Sequence, residues 1–208
     1  ARYYNSVVSI NDQGEIDDAV DKMHLVPFGE YLPFEGMFAR LGISKLVALP
    51  GSFSPGSTRH ALLAADGVAA APFICYEIIF PALVGDGAQD ADMQVNVTND
   101  AWFGRTAAPW QHFQHSLLRA VENRRWVVRV ANSGISVIID PFGRVTAQIP
   151  PFARGTLTGQ VHPLSQRSPY VVIGDAFAWL CVAVTALGAG IPWRRKRSDE
   201  HRTGRDQD

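Results

Sequence analysis

The sequence predicts an α/β fold, and three kinds of segment support this prediction. Residues 68–75 (VAAAPFIC) form a continuous apolar run, which is typical of a strand buried on both faces of a sheet. Residues 92–99 (DMQVNVTN) and 136–145 (SVIIDPFGRV) are two further strand candidates, and a Pro-Phe-Gly turn closes the second. Residues 110–131 lie between them and begin as an amphipathic helix. Strands that alternate with a helix in this order favour layered α/β packing.

The helical segment and the N-terminal segment each follow a local pattern. Phe113 and Leu117 recur at helical spacing within 110–131, but the final part of this segment, WVVRVA, fits a strand equally well. Near the N-terminus, residues 3–11 (YYNSVVSIN) alternate like a strand, and residues 12–15 (DQGE) supply a turn with Gly where positive φ is tolerated. The N-terminal segment is therefore predicted to form a hairpin.

Composition limits the class of protein. The chain has 208 residues, of which 47% are hydrophobic and 19% are charged, so it can bury a substantial core in one main globular domain. Its formal net charge of -1 argues against nucleic acid as a partner. Two cysteines are too few for a disulfide framework. The histidines show no metal-site spacing, and the pair His112 and His115 is interpreted as a helix face.

The C-terminal region predicts a membrane anchor. Residues 176–193 contain no charged side chain, and eighteen residues at about 1.5 Å each span about 27 Å, close to the roughly 30 Å of a hydrocarbon layer. The alternative is a buried core helix. The basic run 194–197 (RRKR) places the tail on the cytoplasmic side. We therefore predict a domain over 1–169, a transmembrane helix over 170–193 and a basic, then polar, cytoplasmic tail over 194–208.

An apolar segment without clean periodicity covers residues 33–58, where glycines and prolines are scattered among large apolar side chains. Such a pattern favours a long arm or lid that touches substrate or bilayer. A packed loop with short helices is the alternative interpretation.

Two residues are candidates for chemistry from their local sequence. Cys75 ends the buried run at a predicted helix start, where a thiolate nucleophile is favoured, although a buried cysteine can also be inert packing. Lys22 stands directly before a segment rich in Pro and Gly, where its charge can meet a developing oxyanion, although an exposed surface lysine is the alternative.

Four motifs occur in a fixed order along the chain. They are KxHLVPFGEYxP (22–33), ICYEI (74–78), NDAWFG (99–104) and PWQHFQ (109–114). In these motifs the chain closely resembles the apolipoprotein N-acyltransferases, a family of the nitrilase (carbon-nitrogen hydrolase) superfamily with a Glu-Lys-Cys triad. The resemblance extends over residues 3–193. It implies a four-layer α-β-β-α sandwich, incomplete at its N-terminus, plus one C-terminal transmembrane helix.

The resemblance also implies roles for matching residues. Cys75 is the expected nucleophile, which takes an acyl chain as a thioester. Lys22 is the expected triad lysine, which stabilises the oxyanion together with a backbone N–H next to Cys75. Glu30 and Glu77 are expected to orient Lys22 or the incoming amine, and Tyr76 follows the nucleophile as it does in the family.

Further expectations from the resemblance concern substrates and surroundings. Trp102 and Phe103 are expected to line the acyl or substrate path. The implied reaction moves a fatty acyl chain from a phospholipid to the N-terminal amine of a diacylglyceryl-cysteine apolipoprotein, with no cofactor. The implied location is the bacterial inner membrane with the catalytic domain on the periplasmic side. The triad glutamate and about six membrane helices are expected upstream, so the chain alone is expected to be inactive.

Two alternatives stay open at the level of sequence. The first is a nitrilase-type amidase acting on a small carbon-nitrogen substrate, with the same cysteine and lysine but with water resolving the thioester. The second is a non-catalytic, membrane-tethered module that keeps the fold without the activity.

Overall fold

The computed structural model describes residues 2–34, 52–64, 67–164 and 166–203, with residues 190–203 described by their backbone alone. The chain divides into two compact units, Ala1–Ser168 and Pro169–Asp208. The described strands and α-helices of the first unit are β1 (Ser6–Ile10), β2 (Ile16–Asp21), β3 (Leu62–Leu63), β4 (Ala69–Ile74), α1 (Pro81–Ala88), β5 (Met93–Asn99), α2 (Ala108–Asn123), β6 (Trp126–Asn132), β7 (Ser136–Ile139) and β8 (Val145–Ile149). Short 3-10 helices cover Cys75–Ile79 and Asp100–Phe103.

The central sheet has six strands in the order β3-β4-β5-β6-β7-β8. Strands β4, β5 and β6 run parallel, and the remaining neighbours are antiparallel. Helices α1 and α2 supply the crossovers that parallel neighbours require. The strands predicted at 68–75, 92–99 and 136–145 are confirmed in outline, and the α/β class is confirmed with them.

The predicted N-terminal hairpin is also confirmed, because β1 pairs antiparallel with β2 as a separate two-stranded sheet. Gly14 adopts φ 83° in the turn, a value that favours glycine. The side chain of Asn11 accepts hydrogen bonds from the backbone N–H groups of Gln13 and Glu15 and so fixes the turn. Among the described residues, one sheet of six strands and this hairpin are seen, and the four-layer sandwich stays a prediction.

The segment predicted to begin as a helix splits into a helix and a strand. Helix α2 ends at Asn123, and Arg124 follows in the left-handed region with φ 50°. The residues WVVRVA then form β6, which is the strand alternative for this stretch. The core beneath α2 consists of apolar side chains from the helix, from strands β6 and β7 and from the turn between these strands: Phe113, Ala120, Val127, Ile135, Val137 and Ile139.

A buried polar network ties the centre of the sheet to α2. Arg129 of β6 is only 1% exposed, and its guanidinium donates to Oδ1 of Asn96 and, over 2.7 Å, to Oδ2 of Asp100. His112 of α2 lies against the same Asp100, with 3.0 Å between Nδ1 and Oδ1. The backbone at Gly134 packs so closely that a Cβ there would lie 2.1 Å from Oδ2 of Asp100. Three separate segments of the chain, around 96–100, 112 and 129–134, therefore meet at one ion pair.

The second unit contains α3 (Pro169–Ile173) and α4 (Ala176–Thr203). Within the residues that the structure describes, neither helix combines the length and the apolar character needed to cross a membrane. The span predicted over 176–193 includes 190–193, whose side chains lie outside the described part, and it is not confirmed. Residues 35–51 of the predicted apolar arm likewise lie outside the described residues.

Removing one partner of the buried pair of Arg129 and Asp100 is expected to destabilise the fold strongly. Arg129→Met leaves the Asp100 carboxylate buried without its partner, so we expect a loss of about 3–5 kcal/mol in the free energy of unfolding. Arg144→Met is the matched control, because Arg144 pairs with Asp140 while its own side chain is 73% exposed. Because solvent screens the exposed Arg144 guanidinium, this pair should contribute less than about 1 kcal/mol, although Asp140 itself is buried. Urea unfolding of both variants measures the difference, and equal effects would contradict the assignment.

Candidate active site

Cys75 lies where β4 ends and a 3-10 helix begins. The strand is apolar and almost fully buried, so its carboxyl end emerges from the core at a fixed place. Cys75 has φ 54°, a value that is unfavourable for any residue other than glycine. Surrounding contacts must therefore maintain this conformation. Those contacts reach its backbone oxygen, which lies 3.1 Å from Nδ2 of Asn96 and 3.2 Å from Nε2 of His112.

Lys22 follows directly after β2 and is buried rather than exposed. Its side chain is 1% exposed, and Nζ lies 2.7 Å from Oε2 of Glu30. Within the described part of the chain, the ammonium group has no acceptor besides this carboxylate. Glu30 is itself held by the side-chain amide of Asn5 over 3.0 Å and by the backbone N–H of Val26 over 2.8 Å. The interpretation of Lys22 as an ordinary surface lysine is therefore wrong.

The Tyr76 side chain contacts both the Lys22 ammonium group and the loop that follows Lys22. Nζ of Lys22 is 5.6 Å from the centre of the Tyr76 ring, and the Tyr76 hydroxyl donates to the backbone oxygen of Leu25 over 3.1 Å. Burial raises the pKa of Tyr76, and nearby acidic groups, including Glu30, raise it further. The phenol therefore stays neutral at ordinary pH and acts as a packing and hydrogen-bonding group.

Glu77 connects the segment carrying Lys22 to the strand carrying Cys75. It is fully buried and accepts hydrogen bonds from the backbone N–H groups of residues 23 and 24, at 2.9 and 3.0 Å. These two groups donate to Oε1 of Glu77, and Arg59 forms an ion pair with the same oxygen over 2.7 Å. The backbone N–H of Ile74 donates to Oε2 over 2.8 Å. Its influence on Lys22 is thus indirect, through the backbone of the two residues that follow.

The predicted site residues meet around one cavity of about 300 Å³. Three segments contribute to its lining: the motif around Lys22, the motif around Cys75 and the 3-10 helix after β5, which carries Trp102 and Phe103, the two residues expected to line the substrate path. The cavity is lined by Lys22, Val26, Gly29, Glu30, Cys75, Tyr76, Asn99, Trp102 and Phe103. Glu77 is the one predicted site residue that does not line it.

One exposed aromatic side chain lines this cavity, and a second is adjacent in sequence to residues that line it. Trp102 lines the cavity and is nevertheless 73% exposed. Phe28, between the lining residues Val26 and Gly29, is 59% exposed and has φ 61°. Large apolar groups exposed next to a cavity are typical of a surface that binds an apolar ligand or a membrane.

In the buried network behind Cys75, the Asp100 carboxylate is paired with Arg129 and His112. Burial alone would raise the pKa of Asp100, but the hydrogen bond with His112 and the charge of Arg129 outweigh it and hold the pKa below its usual value. Burial lowers the pKa of Arg129, and the Asp100 carboxylate opposes part of that shift. Nε2 of His112 faces a backbone oxygen, which can only accept, so this nitrogen carries a proton.

Sequence reasoning missed most of the residues behind the site. Arg59, Asn96 and Arg129 were not singled out, and His112 was interpreted as part of a helix face although it is 5% exposed and faces Asp100. A charged side chain in the apolar run VVRVA was the available signal, since charge inside a buried strand requires a partner. Across the described residues, no group of three or more His, Cys, Asp or Glu side chains is placed to hold a metal ion.

Curated relatives are similar to this chain over most of its length. An apolipoprotein N-acyltransferase of Brucella melitensis is 47% identical over 91% of this chain and 36% of its own length. The corresponding protein of Agrobacterium fabrum is 45% identical over 92% of this chain, and that of Allorhizobium ampelinum is 51% identical over 69%. The chain thus spans 36% of the length of the first two relatives.

Solved structures share the fold at low sequence identity. A nitrilase-superfamily protein of branch 10 from Saccharomyces cerevisiae aligns with a TM-score of 0.52 at 21% identity, over 71% of this chain and 49% of that protein. A carbon-nitrogen hydrolase from Helicobacter pylori aligns with a TM-score of 0.53 at 14% identity, over 72% and 53%. The family model for carbon-nitrogen hydrolases matches residues 1–168. The chain therefore belongs to the carbon-nitrogen hydrolase family.

Proposed function

We propose that this chain carries the thiol site of a membrane-bound N-acyltransferase that completes bacterial lipoproteins. The observation that carries the proposal is one cavity in which Cys75 and the Lys22–Glu30 ion pair lie beneath an exposed aromatic edge. The names of the curated relatives support the same activity. The fold would be the nitrilase-type four-layer sandwich, of which the described sheet and helices form part.

The first half-reaction would load an acyl chain onto Cys75. Its thiolate sulfur attacks the ester carbonyl carbon of a phospholipid, and the carbonyl electron pair moves onto oxygen. Collapse of this oxyanion breaks the ester C–O bond and releases a lysophospholipid alkoxide, which takes up the proton that the base has removed from the thiol, so that the base is free again. The thiol proton passes to a carboxylate base, for which the family resemblance implies a glutamate that precedes Lys22.

The second half-reaction would transfer the chain to an amine. The N-terminal amine of a diacylglyceryl-cysteine protein attacks the thioester carbonyl carbon and loses a proton to the same base. The second oxyanion then collapses, the C–S bond breaks, and the thiolate is restored. A covalent relay suits two bulky amphiphilic substrates, because donor and acceptor need not occupy the cavity together.

Lys22 and the Tyr76 backbone N–H would stabilise both oxyanions. The ammonium group makes a single ion pair among the described residues, so it has N–H donors left for a substrate oxygen. Glu30 would hold this ammonium group in place at the cavity. Glu77 would hold the Lys22 segment in register with Cys75 through backbone hydrogen bonds.

Trp102 and Phe103 would guide the acyl chain, and the C-terminal unit would anchor the protein in the lipid. Both aromatic residues line the same cavity as Cys75 and Lys22. Helix α4 exposes a run of large apolar side chains over 177–187. We propose that residues 176–193 span the inner membrane, with the catalytic domain in the periplasm and the tail in the cytoplasm.

Labelled substrates test the reaction itself. The full-length protein should transfer a labelled acyl chain from phospholipid to a diacylated lipopeptide, with a labelled thioester on the Cys75 peptide detected by mass spectrometry. Cys75→Ala should abolish both signals, because no other group supplies the nucleophile, whereas Cys181→Ala should leave them unchanged. Release of ammonia from small amides without lipopeptide acylation would favour an amidase instead, and neither reaction would favour a non-catalytic module.

The role of Lys22 is tested by removing its charge. Lys22→Met keeps much of the side-chain volume but leaves the oxyanion without its cation, so turnover should fall by roughly 10²–10³-fold. Arg105→Met removes an exposed cation that lies over Phe152 rather than in the cavity, and it should keep the normal rate. Single-turnover thioester formation is the measurement. A near-normal rate in Lys22→Met would show that Lys22 has only a structural role.

The acyl path is tested by varying chain length. Trp102→Ala should raise the KM for a long-chain donor by about tenfold, which corresponds to the loss of about 1.4 kcal/mol of apolar contact, and should affect a short-chain ester much less. Trp110→Ala is the control, since Trp110 is half exposed on α2 and does not line the cavity. Equal effects on the long-chain and the short-chain ester would contradict the assignment of Trp102 to the acyl path.

A further inference from the structure

Two buried donors hold the backbone oxygen of Cys75, and the proposed chemistry assigns them no role. Nδ2 of Asn96 lies 3.1 Å from this oxygen and Nε2 of His112 lies 3.2 Å from it. Asn96 is fully buried and His112 is 5% exposed. Neither side chain lines the cavity, whereas Cys75 and Tyr76 both do.

These contacts determine the direction of the next amide group. The oxygen of Cys75 and the N–H of Tyr76 belong to one planar peptide unit, and no cis peptide bond occurs in the described chain. In a trans unit the C=O and the N–H point in opposite directions. Holding the oxygen toward Asn96 and His112 therefore points the Tyr76 N–H away from them.

Asn96 and His112 are in turn held in place by Arg129 and Asp100. Arg129 donates to Oδ1 of Asn96, which leaves Nδ2 to face the backbone oxygens of Phe73 and Cys75. Asp100 contacts Nδ1 of His112, and this contact sets the plane of the ring. The strained φ of Cys75, 54°, thus has a supporting set of buried contacts, as a strained residue requires.

We propose that His112 and Asn96 are positioning residues, which hold the Cys75–Tyr76 peptide so that the Tyr76 N–H faces the carbonyl oxygen of the acyl donor. The inference rests on the proposed function only in requiring an acyl group on Cys75. It applies equally to transfer onto an amine and to hydrolysis by water.

A matched pair of substitutions separates this role from a purely structural one. His112→Gln keeps an amide nitrogen at about the reach of Nε2, whereas His112→Asn is one methylene shorter and keeps only the position near Asp100. His115→Gln changes another histidine of the same helix, for which the described part of the chain shows no hydrogen bond to Cys75, and serves as control. Two rates are measured at Cys75 in the full-length protein by mass spectrometry of its peptide: acylation by a p-nitrophenyl ester and alkylation by iodoacetamide.

Acylation passes through an oxyanion and alkylation does not, so the two rates should respond differently. We expect His112→Asn to slow acylation by about 10²-fold with little change in KM, while alkylation changes little. His112→Gln and the control should acylate at nearly the normal rate. Thermal unfolding of every variant verifies the fold.

Two outcomes would overturn the inference. His112→Asn could acylate at the normal rate, or its acylation and alkylation could fall by the same factor, which would indicate general disorder. If His112→Asn does not fold, Asn96→Asp replaces it, because the carboxylate keeps an oxygen for Arg129 but cannot donate to Cys75, and the same selective loss is expected. A wild-type protein that takes no acyl group on Cys75 would instead contradict the proposed function, and the inference with it.

Discussion

The ion pair between Arg129 and Asp100 determines how the centre of the sheet and α2 fit together. A fully buried guanidinium is tolerated only when its donors are matched, and here a carboxylate, an amide oxygen and a backbone oxygen match them. Meeting that requirement brings β5, β6 and α2 to fixed relative positions. Asn96 and His112 of this cluster then contact the backbone oxygen of Cys75, directly after the end of β4.

Buried charge around the candidate site occurs in balanced pairs. In the described residues, Lys22 pairs with Glu30, Arg59 with Glu77, and Arg129 with Asp100. The three pairs differ in what they do. One lies in the cavity and offers an ammonium group to a ligand, whereas the Glu77 pair joins two chain segments and the Asp100 pair supports the sheet beneath. Reaction chemistry and mechanical support are thus divided among similar side chains by their position in the fold.

The sequence predicted those parts of the molecule that local patterns determine. The run 68–75 is apolar throughout and could form only a buried element, and the hairpin turn at Gly14 is specified by a few adjacent residues. The helix end at Asn123 was less certain, because WVVRVA is compatible with either period and its pairing with β5 decides the outcome. Local pattern therefore gave the elements, and tertiary pairing gave their limits.

The site was predicted only in part for a related reason. Cys75 and Lys22 stand in recognisable motifs, whereas the importance of Arg129 depends on a carboxylate 29 positions away in sequence. His112 was assigned to a helix face because a histidine on an amphipathic helix gives no sign of what it faces. Only the folded chain shows that its two nitrogens connect Asp100 to the backbone of Cys75.

The close approach of Gly134 to Asp100 has a consequence for reading distant sequences. Any side chain at this position would have to occupy the space that the carboxylate already fills, since even a methyl carbon would overlap Oδ2. The absence of a side chain at residue 134 is thus a structural requirement of the thiol site, although the residue takes no part in chemistry. In a remote homologue, an alanine or serine there would imply that the scaffold behind the sulfur has been rebuilt.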